Sequence, residues 1–358
     1  MSERRVDAGG LQAFTGAVLS AAGLPPDDAA LVADALVTAD LRGIGSHGVM
    51  RLLPYVRRLE QGGTKARPDV RIVRERGATA VVDGDHGMGQ VVGTFAMRAA
   101  LELARRHGLG MVVATKSEHF GTAAFYAEQA SRAGMIGVAC TNVPPVMAAW
   151  GGRGGAIGNN PIAIAVPTRE PPAIVLDMAM SRVAGGRVRL AEKRGEAIPE
   201  GWIVDADGAP TTDPGAFTGG ALLPDGHKAY GLAVMVEVLS AALSGAGMLS
   251  GVVSYLHEPG RPTNTGHAFI AIDVEHFSAS EAFLDRVEAM RHELRSTPPA
   301  AGSDGVRLPG EIEASRAANS SNVAVSDAVI ADLTRLGEAY GIDVGVLGAS
   351  GSRSAQDV

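Results

Sequence analysis

The chain has 358 residues, enough to bury a large core and to divide into more than one domain. It is 46% hydrophobic and 20% charged with a formal net charge of -7, so it offers no basic stripe and no nucleic-acid partner is expected. The single cysteine, Cys140, excludes an intrachain disulfide framework; no apolar run of about 18 residues reads as a membrane span, and Met1-Ser2-Glu3-Arg4-Arg5 leads into no signal core, so a cytoplasmic protein is expected.

Leu11 to Ala22 has a helical pattern, ended by Gly23-Leu24-Pro25-Pro26. A second helix is predicted from Pro26, with Asp27 and Asp28 in its first turn, to about Leu41. Gly43 and Gly45 break it. Ser46 is placed to N-cap a third helix, Val49 to Gln61, closed by Gly62-Gly63. His47, Arg51 and Tyr55 are spaced by four and share one face. A guanidinium there can hold a carboxylate through two parallel hydrogen bonds; the spacing equally suits a solvated polar face or an Arg–Glu surface pair.

Ala78 to Asp83 reads as a strand and Gln90 to His107 as a helix. Between them Gly87, Gly89 and Gly93 come one residue off the dinucleotide fingerprint. The third glycine falls a turn into the helix, and no acidic residue closes a βαβ unit about 20 residues on, so a structural turn is expected.

Met111 to Ala114 reads as a buried strand, followed by the polar turn Lys116-Ser117-Glu118-His119-Phe120-Gly121. A helix is predicted from Thr122 to Arg132, with a stop at Gly134, and a strand from Met135 to Cys140. Thr141-Asn142 and Gly158-Asn159-Asn160-Pro161 then precede the apolar run Ile162 to Val166. His119 therefore sits where a strand hands over to a helix, near two polar glycine-rich turns, and such loop positions on a rigid scaffold carry chemistry. Cys140 lies in an apolar strand and reads as core packing rather than as a nucleophile.

Ala173 to Leu176 is a predicted strand ending in Asp177-Met178-Ala179-Met180-Ser181. The basic segment Arg182 to Arg194 follows. Pro199 to Pro214 is turn-rich, with Asp205-Ala206-Asp207-Gly208 as a hairpin turn. The loop Pro224 to Gly231 opens an apolar helix, Leu232 to Leu243. Lys228 beside that helix N-terminus suits an anion, or is simply an exposed loop lysine. A strand at Ala268 to Asp273, an amphipathic helix at Glu281 to Leu294 and a linker-like turn at Pro298 to Gly305 come next. Leu308-Pro309-Gly310-Glu311 follows, then a last helix, Asp327 to Tyr340, and a tail, Ala349 to Val358, expected to fray.

The nine histidines include no H-x-x-x-H or H-E-x-x-H spacing, and His86 beside Asp83 and Asp85 reads as a polar turn, so no metal is expected. Neither a nucleophile elbow nor a P-loop is present.

Taken together, several collinear motifs carry a resemblance. Asp40-Leu41-Arg42-Gly43-Ile44-Gly45-Ser46-His47-Gly48-Val49-Met50-Arg51 resembles the opening signature of the malate/L-lactate dehydrogenase family that lacks a Rossmann fold. Its members include ureidoglycolate and sulfolactate dehydrogenases, diketogulonate reductase and cyclic-imine carboxylate reductases. The likeness continues through Glu118-His119-Phe120-Gly121, Thr141-Asn142, Gly158 to Pro161, Asp177-Met178-Ala179, Ile198 to Trp202, Pro210 to Pro214 and Lys228 to Leu232. It ends at Leu308-Pro309-Gly310-Glu311, so it spans nearly the whole chain.

The resemblance implies an NAD- or NADP-dependent enzyme that oxidises a 2-hydroxy acid or reduces the matching 2-oxo acid, with a cyclic imino carboxylate as the alternative substrate. It implies His119 as general acid/base and Ser46, His47, Arg51 and Tyr55 on the substrate side. Cofactor contacts would match Asp177, Met178 and Ala179, then Lys228, then Pro309, Gly310 and Glu311, with backbone near Asn142 and Val143. The implied fold is α/β, a mixed sheet flanked by helices that holds the dinucleotide in a non-Rossmann way. Helices of both chain ends, 1–75 and 300–358, would form a second lobe beside a cofactor-binding and catalytic body, 76–299. A homodimer with sites near the subunit interface is implied, and a small carboxylic acid as substrate. Gly185-Gly186-Arg187 stands where the family has a small-Gly-Lys step, Ala229 where glycine is usual, and Asn159 where threonine is common. The rival readings are a Rossmann dehydrogenase built on Gly87 and Gly89, a non-catalytic small-molecule binder and a metal-dependent hydrolase.

Overall fold

A computed structural model describes residues 3–348 of the chain. The expected tail, Ala349 to Val358, lies outside the described residues. In chain order the elements are β1 (Glu3–Asp7), α1 (Ala8–Ala21), α2 (Pro26–Leu41), two 3-10 turns (Gly45–His47 and Val49–Arg51), α3 (Leu52–Gln61), β2 (Arg71–Arg76), β3 (Thr79–Gly87), α4 (Gly89–His107), β4 (Leu109–Ser117), α5 (Ala124–Arg132), β5 (Ile136–Thr141), β6 (Ile162–Val166) and β7 (Ile174–Met178). Then come α6 (Gly185–Arg194), the short strands β8 (Ile203–Val204), β9 (Pro210–Thr211) and β10 (Ala221–Leu222), and α7 (Gly226–Glu237), which widens into a π turn over Val238–Ala242. The chain ends with β11 (Thr265–Ile272), α8 (Ser280–Arg295), α9 (Glu311–Ala318), β12 (Asn322–Ser326), α10 (Asp327–Tyr340) and α11 (Gly345–Gly348).

The main sheet has seven strands in the order β2-β3-β4-β11-β5-β6-β7. Only the β3–β4 pair is parallel; the other five neighbours are antiparallel. Side chains alternate across a strand, and here the alternation divides the apolar residues between two cores. Val112, Ala114, Ala139, Phe269 and Ala271 face α4 and α5, where Val92, Ala96, Met97 and Ala127 meet them. Val113, Cys140 and Ala268 face the opposite way, onto Ala229, Ala233 and Val236 of α7 and the small β10-β8-β9 sheet. Cys140 is 2% exposed, and burial pushes its thiol up to about 12, so it packs as an inert apolar group.

A further core joins the chain ends: Leu11, Phe14, Val18, Leu36, Leu52 and Tyr55 pack with Val323, Val325, Ile330, Leu333 and Leu336. β1 pairs antiparallel with β12, from Glu3 opposite Ser326 to Asp7 opposite Asn322. Neither strand has a sequence signal, and α9 was also unanticipated. β2, residues 71–76, is the edge strand of the large sheet rather than part of the chain-end core.

The approach of α4 to the sheet depends on a missing side chain. A Cβ on Gly110 of β4 would lie 2.0 Å from the Ala100 carbonyl oxygen and 2.8 Å from Leu103 Cβ. Backbone cannot yield there as a flexible side chain could. Gly110→Val is expected to destabilise the fold by about 3 kcal/mol or more in urea denaturation. Gly186→Ala, at an exposed position with nothing within 4 Å of the added atom, is the control. Equal midpoints for the two variants would contradict this packing account.

Candidate active site

The first half of the site is built by the bend after α2. Val49 N–H donates to Asp40 Oδ2 at 2.7 Å, so Asp40 caps the turn that leads into α3. Ser46, expected to do so, lies inside the first 3-10 turn, its hydroxyl 3.0 Å from His47 Nδ1. Its place outside the helix start follows from Gly48, whose extended backbone separates the two 3-10 turns. Burial raises Asp40 to about 7, opposed by that Val49 hydrogen bond. Pro54 sits in the first turn of α3, where its missing N–H costs no helical bond.

The second half is the turn after β4, pinned on both sides of His119. Ser117 is held by His267, whose Nε2 is 2.7 Å from Ser117 Oγ and whose Nδ1 is 2.8 Å from Thr141 Oγ1. Thr141 spends its hydroxyl hydrogen on the carbonyls of Asn142 and Gly266, so it accepts from His267 Nδ1–H. Burial takes His267 down to about 3, which favours its neutral form. Glu118, 2% exposed, forms an ion pair with Arg58 of α3 and accepts from Thr263 Oγ1 at 2.7 Å. Phe120 stacks on His267 at 4.6 Å, and its carbonyl accepts from Tyr126. Across the turn, a Cβ on Gly89 would lie 2.3 Å from the Glu118 oxygen and 2.6 Å from the His119 carbonyl carbon. The glycine turn that looks like a fingerprint thus packs on the back of this segment, as expected of a structural turn.

His119 itself is only partly buried. Its Nδ1 is 2.7 Å from the Tyr55 hydroxyl. Its ring is stacked between His47, with centroids 5.6 Å apart, and Tyr255, 4.8 Å apart. Arg51 donates from Nε to the Ser46 carbonyl at 2.6 Å and lies over Tyr255 at 5.9 Å. The structure therefore gathers Ser46, His47, Arg51, Tyr55 and His119 in one place, although α3 begins three residues later than the helix expected from Val49. Among the described residues no acidic side chain forms an ion pair with Arg51.

Burial, followed by unfavourable electrostatics with His47, Arg51, His267 and Arg58, holds His119 well below its ordinary value. Burial and Arg51 take His47 down to about 4. Both rings are neutral near pH 7. Burial also raises the Tyr55 phenol, which keeps its proton.

The residues matched to cofactor contacts collect along β7. Val175 N–H donates to the Pro309 carbonyl at 3.0 Å, which seats the Pro309-Gly310-Glu311 turn against the strand. Glu311 closes that turn on Leu308 N–H at 2.9 Å and pairs with Arg295. Asp177 accepts from Ala124 N–H at 3.0 Å, tying β7 to the start of α5, five residues after His119. Beyond Met178 and the exposed Ala179, Met180 N–H donates to the Asn159 carbonyl and its own carbonyl accepts from Asp225 N–H. This brings the Lys228 turn beside β7. Lys228 is exposed in the first turn of the 12-residue α7 and forms no ion pair among the described residues. An exposed cation in the first turn of a helix fits the phosphates of a dinucleotide.

Asn142 is placed differently. Its side chain is 0% exposed, donates to Glu237 at 3.1 Å and to the Gly247 carbonyl at 2.8 Å, and accepts from Gly266 N–H at 2.9 Å. Val143 N–H donates to Asn160 Oδ1 at 3.2 Å. Both hold the loop rather than offering free donors. No group of three or more His, Cys, Asp or Glu among the described residues is placed to hold a metal.

Sequence reasoning missed Tyr255, Gln90, Asp40 and Arg58. Arg58 follows Tyr55 by three on α3 and shared a legible face; Tyr255 lies in a loop without any periodic signal.

A sequence model of the malate/L-lactate dehydrogenase family matches residues 6–334. Malate dehydrogenase from Pyrococcus horikoshii is 43% identical over 302 residues, covering 82% of this chain and 83% of that protein. The solved structure of malate dehydrogenase from that organism superposes with a TM-score of 0.88 at 35% identity, covering 95% of this chain and 97% of the other. A (2R)-3-sulfolactate dehydrogenase (NADP(+)) from Chromohalobacter salexigens is 38% identical, covering 82% of this chain and 86% of its own length. A ureidoglycolate dehydrogenase (NAD(+)) from Escherichia coli is 37% identical, covering 82% and 84%. NAD and NADP users are thus both among the relatives, and the mixed sheet with its flanking helices is theirs as well. With sequence and architecture matched over most of its length, this chain belongs to the malate/L-lactate dehydrogenase family, as an oxidoreductase of the hydroxy-acid dehydrogenase type.

Proposed function

We propose that the protein moves hydride between a nicotinamide dinucleotide and C2 of a small 2-hydroxy or 2-oxo acid of the malate/lactate type, with His119 as general acid/base. The observation that supports this reading is the pairing of a partly buried, neutral imidazole with a guanidinium that has no acidic partner among the described residues. Arg51 holds the carboxylate of the acid and fixes its orientation. His119 uses Nε2, since Nδ1 is taken by Tyr55, to accept the hydroxyl proton in oxidation and to return it in reduction. Ser46 orients His47, and His47 packs on one face of the His119 ring while Tyr255 covers the other. Nicotinamide, when bound, supplies the hydride acceptor or donor. Lys228 and the start of α7 neutralise its phosphates, Asp177 to Ala179 and Pro309 to Glu311 line its path along β7, and the backbone near Asn142 and Val143 closes the edge.

The same reading divides the chain into a lobe of both ends, with the β1–β12 pair and the third core, and a catalytic body that takes in β2. It also makes the protein a homodimer. Leu232, Met235, Val238, Leu239 and Leu243 are all exposed on α7 and its π turn, and Met248 and Leu249 continue the patch. Lys228, Leu232, Met235 and Leu239 share one helical face, so a second copy seated there would lie beside the cofactor phosphates.

The reading is tested by a panel of 2-oxo acids and cyclic imino acids with NADH and NADPH, followed by cofactor absorbance. Turnover confined to the imino acids would replace it. His119→Ala is expected to lower kcat by about 10² or more with NADH or NADPH affinity, read by fluorescence, nearly intact. Because His119 is depressed, the acid limb of kcat/KM for oxidation should fall below pH 6.5; a limb above that value would contradict the environment described. Arg51→Ala should raise KM for the acid by about tenfold or more, and unchanged kinetics would remove it from the site. Met235→Glu with Leu239→Glu should yield monomers in sedimentation velocity, whereas an unaltered sedimentation coefficient would exclude this face.

A further inference from the structure

Behind His119 and Tyr55 lies a third polar side chain without an assigned role. Gln90 is the second residue of α4 and is 0% exposed. Its amide nitrogen donates to the Tyr55 hydroxyl at 3.0 Å. Its amide oxygen is buried without a hydrogen-bond partner. An unpaired buried carbonyl costs free energy, so this one calls for an explanation.

We propose that Gln90 is a positioning residue that decides, through the Tyr55 hydroxyl, which ring nitrogen of His119 carries the proton. The inference rests on His119 being the acid/base. A phenol has one hydrogen to donate and two lone pairs to accept. When the Gln90 nitrogen faces Tyr55, the phenol spends its hydrogen on His119 Nδ1. The neutral ring then keeps its own proton on Nε2, the wrong nitrogen for a base. When the amide turns over, its oxygen accepts the phenolic hydrogen, and the phenol oxygen accepts from His119 Nδ1–H. Nε2 is then bare.

Only the second arrangement can complete oxidation. As hydride leaves C2 for nicotinamide, the C2 hydroxyl proton moves to Nε2, the ring becomes imidazolium, and Nδ1–H needs an acceptor. Tyr55 serves fully only if its own hydrogen has somewhere to go, and that place is Gln90 Oε1. In reduction the Nε2 proton returns to the C2 oxygen and the same chain relaxes. The titratable groups facing the ring are His47, Arg51, Tyr55, Tyr255, Arg58 and His267. None is a carboxylate, and the neighbouring Glu118 is committed to Arg58 and Thr263. The amide is therefore the end of the acceptor chain for the imidazolium.

The test compares Gln90→Leu, Gln90→Met and Gln90→Glu with His119→Ala, using the full-length enzyme and whichever 2-oxo acid and cofactor the panel selects. Leu and Met remove the acceptor. Each should lower kcat by about tenfold or more while KM for acid and cofactor moves less than about threefold, since a wrong tautomer harms turnover rather than binding. The limb of kcat for reduction should move to lower pH. Glu keeps an acceptor oxygen, so it should restore most of kcat and move that limb to higher pH. In nitrogen NMR of histidine-labelled protein near pH 7, the Nδ1–H form of His119 should be detectable in the wild type and lost in the Met variant. Wild-type kcat and limb position in Leu and Met, or an equal loss in Glu, would overturn the proposal, and thermal midpoints identify a variant that merely fails to fold, leaving Met as the near-isosteric judge. A disabled His119→Ala beside normal Gln90 variants would sink the relay alone; a fully active His119→Ala would sink the base assignment and the relay with it.

Discussion

The buried ion pair between Arg58 and Glu118 joins two parts of the molecule that are otherwise separate in sequence. One is α3, which carries Tyr55; the other is the turn that carries His119. Each charge is 2% exposed and would be costly alone. Arg58 is also held by Thr64 Oγ1 at 3.1 Å and the Gly63 carbonyl at 2.7 Å, so the guanidinium is fixed from the end of its own helix. A buried pair of this kind adds little to stability compared with apolar residues, but it specifies one arrangement. The arrangement here is the 2.7 Å contact of Tyr55 with His119.

Around that clamp the fold makes a rigid turn with one open residue. Ser117, Glu118 and Phe120 are buried and hydrogen-bonded or stacked, while His119 between them stays accessible. Such a turn holds an imidazole without using it as a structural group, which is what positional catalysis requires. The same economy applies at β7. β7 is an edge strand whose outer side meets the Pro309 turn and whose end meets the Lys228 turn, so one strand collects two segments distant in sequence.

The burial of these groups decides their chemistry. A histidine surrounded by two guanidiniums and two further imidazoles loses its charge readily, which suits a base in the free enzyme. A substrate carboxylate at Arg51 would cancel part of that positive field and raise the affinity of His119 for a proton. On the proposed function, the acid would bring with it the condition needed for its own reduction.

Sequence alone determined the elements whose stabilising pattern is local. Pro26 to Leu41 and Asp327 to Tyr340 carry their own helical periodicity and end signals, and both helices form with those bounds. The spacing of His47, Arg51 and Tyr55 was legible for the same reason, even though part of that face is 3-10 turn. Six strands of the main sheet were legible as apolar runs, whereas the exposed, charged β2 was not, and the resemblance pointed to His119 and the β7 residues. What only tertiary structure decided is everything that depends on a distant partner. β1 and β12 are each too short and too exposed to read as strands until Glu3 meets Ser326. Asp40, not Ser46, caps the α3 turn because a carboxylate from the preceding helix reaches Val49 first. Tyr255 and Gln90 come to lie beside His119 and Tyr55, and the Asn142 side chain bonds Glu237 and the Gly247 carbonyl, because hydrogen bonds and ring stacking are set by distance in space, and residue spacing along the chain encodes that distance only within a helix or a strand.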